Sequence, residues 1–169
     1  LTEQLRRFVE TTHIQNNLHV AGHSVGGSVA MLYASQYNFD TKSLFLISAG
    51  GVFKNNQTSY LSNPIYLKQL VISQPGDLNF VMNKVMYSPP FVPSLIKKQQ
   101  EQLFISQSSD TNNLIGHLLD LNKLYTVNSF ATMLKNIEAP TLILWGKQDP
   151  IVNVEVATDL KTTLKHAEQ

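Results

Sequence analysis

The chain has no cysteine. Disulfides and thiolate metal sites are therefore excluded, although the compartment stays open: cytoplasm or membrane association is favoured over disulfide-rich secretion. Charge of one sign is also scarce. The formal net charge is +1, and no basic cluster is denser than Arg6-Arg7 or Lys97-Lys98. A nucleic-acid partner, which needs a basic patch, is not expected. No apolar run approaches the roughly 18 residues of a membrane span. There is no signal-peptide pattern and no initiator methionine, since Leu1 opens directly into a helix-like stretch. Repeats and low-complexity tracts are missing too. Against these absences stand 169 residues with 43% hydrophobic content, enough for one domain with a real core.

The chain is organised around Gly22-His23-Ser24-Val25-Gly26-Gly27. Before it, Leu18-His19-Val20-Ala21 reads as a short buried strand. After it, Ser28 to Tyr37 is rich in small residues and helix formers such as Ala30, Met31, Leu32 and Ala34. Strand, Gly-x-Ser-x-Gly and helix in succession form a nucleophile elbow, a turn so sharp that strand and helix nearly touch. Glycines at 22 and 26 are expected there because side chains two residues either side of the serine would collide.

Upstream, Leu5, Phe8, Val9 and Thr12 lie at helical spacing, predicting an amphipathic helix over residues 1–14. Downstream, Leu44-Phe45-Leu46-Ile47-Ser48 is a continuous apolar run bounded by Gly50-Gly51. Such runs suit a parallel strand covered by helices on both faces. From Val52 to Glu138 only helix-like pieces occur, punctuated by Asn63-Pro64, Pro75-Gly76-Asp77 and Ser88-Pro89-Pro90. The stretch is too apolar for disorder and reads as an all-helical insertion. Within it, Phe80, Met82, Met86, Phe91 and Leu95 suit either an acyl-chain pocket or the insertion's own core. The strand pattern returns at Pro140-Thr141-Leu142-Ile143-Leu144-Trp145-Gly146. After the turn Lys147-Gln148-Asp149-Pro150, a helix marked by Val154, Ala157, Leu160 and Leu164 reaches about Lys165.

A serine hydroxyl attacks only when a base removes its proton and an acid orients that base. Asp149 lies just past the carboxyl end of a buried strand, where open α/β sheets place their active sites. As a turn aspartate before Pro150 it also suits local hydrogen bonding. None of the five histidines suits the role of base. His13 ends the first helix, His19 lies in a strand, and His23 lies inside the elbow and is expected to point away from Ser24. His117 belongs to the surface of an insertion helix, and His166 to a helix C-terminus. No His/Asp/Glu spacing resembles a metal site, and no cofactor is expected.

Together, Gly22-His23-Ser24-Val25-Gly26-Gly27, the helical insertion and Pro140 to Asp149 resemble the α/β-hydrolase superfamily, in particular its lipase and esterase branch with the monoacylglycerol-lipase-like enzymes. The resemblance implies a partial α/β-hydrolase fold, with core at 1–51 and 139–169 and a helical cap at 52–138. Three adjacent parallel strands near 18–21, 43–48 and 141–145 would be flanked by helices. It implies Ser24 as nucleophile, Asp149 as triad acid and the Val25 amide as an oxyanion-hole donor. The implied reaction is hydrolysis of a small-molecule or lipid acyl ester. Carbon–carbon bond hydrolysis on the same fold, or a non-catalytic binding protein, are the alternatives. The family's catalytic histidine would follow the next strand; a loop of roughly 2–6 residues and a strand of about 5–6 place it near 175 or later. The 169 residues are thus expected to be a fragment with two thirds of a triad and little activity alone. Both outer strands are expected to be unpaired edges.

Overall fold

The computed structural model describes residues 1–53 and 64–169. Four strands, β1 (Leu18–His23), β2 (Thr41–Ile47), β3 (Thr141–Leu144) and β4 (Ala167–Glu168), form one sheet in the order β1-β2-β3-β4, with every pairing parallel. The helices are α1 (Thr2–Thr11), α2 (Val25–Gln36), α3 (Pro64–Lys68), α4 (Asp77–Val85), α5 (Ser94–Ser106), α6 (Ser108–Leu124), α7 (Val127–Leu134) and α8 (Glu155–Thr163). The fold is α/β. The three expected strands are adjacent and parallel, with β1 at the edge.

Two expectations about the sheet are corrected. β3 is no edge, because the two residues of β4 pair with Thr141 and Leu142. Among the described residues, helices do not cover both faces of the sheet either. Register places Val20, Leu44 and Thr141 side by side, and Gly22, Leu46 and Ile143 likewise. This face is packed by Ala30, Met31 and Ala34 of α2, Phe130 and Leu134 of α7, and Val156, Ala157 and Leu160 of α8. The opposite face runs through Ala21, Phe45 and Leu142, with Leu144 one step on. There Leu142 and Leu144 are 51% and 55% exposed. β1 alternates in burial accordingly and is not the uniformly buried strand expected.

In α1 only Val9 is fully buried, whereas Phe8 is exposed, so the expected apolar face is narrower than its spacing suggests. Arg6 ties α1 down by donating to Glu10 and to Asp40 while its guanidinium lies 4.4 Å from the Tyr37 ring centroid.

Among the described residues, five helices, α3 to α7, occupy the interval between β2 and β3. The expected N-cap at Asn63 lies outside the described residues. Gly76 precedes α4 at φ 99°, a left-handed conformation that glycine adopts without strain. Asp77 reaches backward, its Oδ2 accepting from the Ser73 and Gln74 amides, which hold its carboxyl below the usual range. The amides of Gly76 and Leu78 are met instead by Glu101 Oε1 from α5, at 2.8 and 3.1 Å. A carboxylate from the next helix thus satisfies two of the N-terminal donors of α4. The apolar residues Phe80, Phe91 and Leu95 fill neither a pocket nor a core: all three are exposed, Phe91 by 92%.

Candidate active site

Ser24 stands between β1 and α2 with φ 51° and ψ −118°. A non-glycine residue pays about 1–3 kcal/mol to hold such a conformation, and it persists only where the surroundings enforce it. They do so here through the backbone. The Ser24 amide donates to Ile47 O at 3.1 Å, and its carbonyl accepts from Gly27 at 2.9 Å and from Gly50 at 2.8 Å. The loop after β2 therefore clamps the turn after β1.

The glycine requirement differs from the expectation. A Cβ on Gly22 would lie 2.6 Å from the Gly27 nitrogen, and one on Gly27 would lie 2.8 Å from Ala49 Cα. A Cβ on Gly26 would meet nothing within 4 Å. Gly22 and Gly27 are thus the sterically obligatory pair, and Gly26 is not. Gly22→Ala is expected to cost about 3 kcal/mol or more, since backbone rather than a movable side chain must yield. Gly26→Ala, in a helix, is expected to be neutral or to stabilise by about 0.5–1 kcal/mol. Thermal unfolding of the two variants checks the contrast; equal destabilisation would contradict it.

Asp149 follows β3 in a turn in which its amide donates to Gly146 O at 3.1 Å. Its Oδ1 accepts from the amides of Ile151 and Val152, both at 2.9 Å. The local role expected of a turn aspartate is therefore real. It occupies one oxygen only; Oδ2 has no hydrogen-bond partner among the described residues. Trp145 Nε1 donates to Val152 O at 2.9 Å and braces the same loop from the strand side.

Ser24 and Asp149, 125 positions apart in the chain, line one cavity of about 340 Å³ together with His23, Ser48, Ile151 and Val152. Leu70, just past α3, and Val85 and Met86, at the C-terminal end of α4, close it. Of the apolar residues expected there, Met86 alone takes part. Val25, half-buried, heads α2, and its amide has no hydrogen-bond acceptor among the described residues.

His23, expected to point away, is on the cavity wall beside Ser24. The other four histidines are elsewhere. His19 Nδ1 lies 2.7 Å from Ser43 Oγ, His13 follows α1, and His117 is exposed on α6. His166 is not at a helix terminus: α8 ends at Thr163, and the His166 carbonyl accepts from Thr141 at the entry to β4. Ser48 is the site residue missed in the sequence. It has φ 41° and its amide donates to Leu144 O at 3.0 Å. Its place at the carboxyl end of β2, before Ala49-Gly50-Gly51, was the available signal.

Among the described residues no group of three or more His, Asp and Glu could hold a metal ion. Nor is any helix there long and apolar enough to cross a membrane.

Comparison with known proteins agrees with this architecture. Residues 2–169 match the family described as serine aminopeptidase, S33. Lipase 1 of Psychrobacter immobilis is 28% identical over 170 residues, covering 98% of this chain and 51% of that protein. A solved structure from Acinetobacter baumannii AYE that carries the name lipase, lip1, is 53% identical with a TM-score of 0.94, covering 99% of this chain and 56% of the other. A membrane phospholipase A described as a bacterial virulence factor is 29% identical with a TM-score of 0.83, at 99% and 52% coverage. The chain spans about half the length of the proteins it matches. With the family match running across nearly every residue, the chain belongs to the serine aminopeptidase S33 family of α/β-hydrolases, in the company of lipase-named relatives.

Proposed function

We propose that the intact protein is a serine hydrolase of lipase or esterase type, cleaving carboxylic esters through an acyl-enzyme on Ser24. The observation that carries this reading is the strained Ser24 sharing one cavity with Asp149. In the first step Ser24 Oγ bonds to the ester carbonyl carbon and its proton passes to an imidazole base. The ester C–O bond then breaks, and the imidazole returns the proton to the departing alcohol oxygen. Water repeats the sequence and releases the carboxylic acid. Asp149 Oδ2 orients the imidazole, which by the family's chain order follows residue 169, and the free Val25 amide donates to the oxyanion. The helices between β2 and β3 act as a cap that shelters the cavity from water. Lipase-named relatives support an ester or lipid substrate.

The test is fluorophosphonate labelling of the intact protein, followed by peptide mapping. The expected adduct is on the peptide containing Ser24, in step with loss of p-nitrophenyl butyrate hydrolysis. Hydrolysis that survives full exposure to the reagent, or an adduct on another serine, would overturn the assignment.

A further inference from the structure

Ser48 lies between the two residues on which the proposed chemistry rests. His23 pairs with Ile47 and Ile47 with Leu144, so the next positions across the sheet are Ser24, Ser48 and Trp145. Neighbouring strands run about 4.7–4.9 Å apart, which sets Ser48 beside the nucleophile and on the way to the Asp149 turn. Hydrogen bonds on both flanks fix that placement: Ile47 O accepts from the Ser24 amide, and the Gly50 amide donates to Ser24 O. Ser48 holds φ 41°, a left-handed value that glycine would adopt without strain, and the loop goes on as Ala49-Gly50-Gly51. A serine kept at such a position points to use of its side chain. Its hydroxyl has no hydrogen-bond partner among the described residues, and the residue is half-buried in the cavity wall. The rest of that wall is short of polar groups. Leu70, Val85, Met86, Ile151 and Val152 are apolar, and Asp149 serves its own turn and the base. His23 is exposed, its strand position on the open sheet face with Ile47 and Leu144.

We propose that Ser48 holds the water that releases the acid, its Oγ accepting from the water O–H that the base does not take. The inference rests on the serine-hydrolase reading and deepens it. In the second half of the reaction the water oxygen bonds to the acyl carbon, and one water proton passes to the imidazole. The bond from the acyl carbon to Ser24 Oγ then breaks, and the imidazole returns its proton to Ser24. The carboxylic acid leaves with the other water proton. A water between apolar walls needs at least two polar partners to stay placed. The imidazole is one. Ser48, beside Ser24 at the same end of the sheet, is the other. An alcohol carries an alkyl group where water has that second O–H. It can give its proton to the base, but it has none left for Ser48. Ser48 therefore selects water over an alcohol as acyl acceptor, and hydrolysis outruns acyl transfer.

Product partition in the intact protein reads this selection whichever step limits turnover. With p-nitrophenyl butyrate and a fixed concentration of methanol, the products are butyric acid and methyl butyrate. Ser48→Ala is expected to raise the ester-to-acid ratio at least about fivefold, the effect of one lost hydrogen bond. Hydroxylamine in place of methanol is the control, because after giving one N–H proton to the base it keeps another for Ser48. Its hydroxamate-to-acid ratio is expected to change by less than about twofold, since water and hydroxylamine lose the same bond. Ser48→Gly, which relieves the left-handed strain, is expected to give the same pattern and to unfold no earlier than the wild type. That variant separates the lost hydroxyl from a damaged fold. Any pattern other than a rise confined to methanol would overturn the proposal; a rise with both nucleophiles would mean only that a more apolar cavity excludes water. Failure of Ser24 labelling would instead sink the functional reading, so the two failures are distinguishable.

Discussion

Ser24→Ala is expected to lower ester turnover by the intact protein about 10⁶-fold, leaving only what oxyanion donation and substrate binding supply. Substrate affinity should survive, because alanine removes one oxygen and leaves the cavity shared with Asp149 in place. The same position carries a stability prediction. With φ 51° and ψ −118°, it is strained for any residue bearing a Cβ. Alanine keeps that strain, so Ser24→Ala should unfold at nearly the wild-type temperature. Glycine relieves it, and Ser24→Gly should be more stable by about 1 kcal/mol or more. An inactive Ser24→Gly variant with raised thermal stability would display the trade between a strained nucleophile and the fold that holds it. Substantial turnover in Ser24→Ala would move the nucleophile elsewhere, with Ser48 in the same cavity the next residue to test.

Asp149→Asn is expected to reduce kcat about 10⁴-fold while preserving the fold. The asparagine side chain keeps a carbonyl oxygen that can accept from the Ile151 and Val152 amides, as Asp149 Oδ1 does at 2.9 Å. What it loses is the anionic second oxygen, which stabilises the imidazolium and selects the productive tautomer. Asp149→Ala would confuse the two roles, because it strands two backbone donors at about 1–3 kcal/mol. A loss of activity in the alanine variant alone would therefore make Asp149 a loop brace and not the triad acid. Comparing kcat and unfolding temperature for both variants decides between these outcomes.

Much of the architecture was written locally. A strand, a Gly-x-Ser-x-Gly turn and a helix are each set by residues within a few positions of one another. β1, the elbow and α2 could therefore be read from residues 18–37. The same holds for β3 and the Asp149 turn, where an apolar run meets Gly146 and Pro150. Chain order then placed Ser24 and Asp149 at the same end of a parallel sheet, because parallel strands bring their carboxyl ends together.

Other features depended on partners far away in the chain. Whether Gly26 or Gly27 is obligatory turns on Ala49, which no local pattern around the elbow could reveal. Glu101 satisfies the start of α4 from about 25 residues further on, where a capping residue would ordinarily be sought beside the helix. The apolar spacing of Phe80, Phe91 and Leu95 describes a propensity to be buried, yet burial needs an opposing surface, and the described residues leave these three exposed. Ser48 entered the site because β2 lies beside β1, so their ends flank one cavity.

The sequence by itself determined the first three strands, the elbow, the helix behind it and the two residues on which the proposed chemistry rests, because local backbone preference and hydrophobic period act over one or two turns. Only the tertiary structure decided which sheet face is packed, which glycines cannot change, and which distant residues share a cavity with Ser24. Those are properties of close packing between segments distant in the chain, and close packing responds to shape at the scale of a single methyl group.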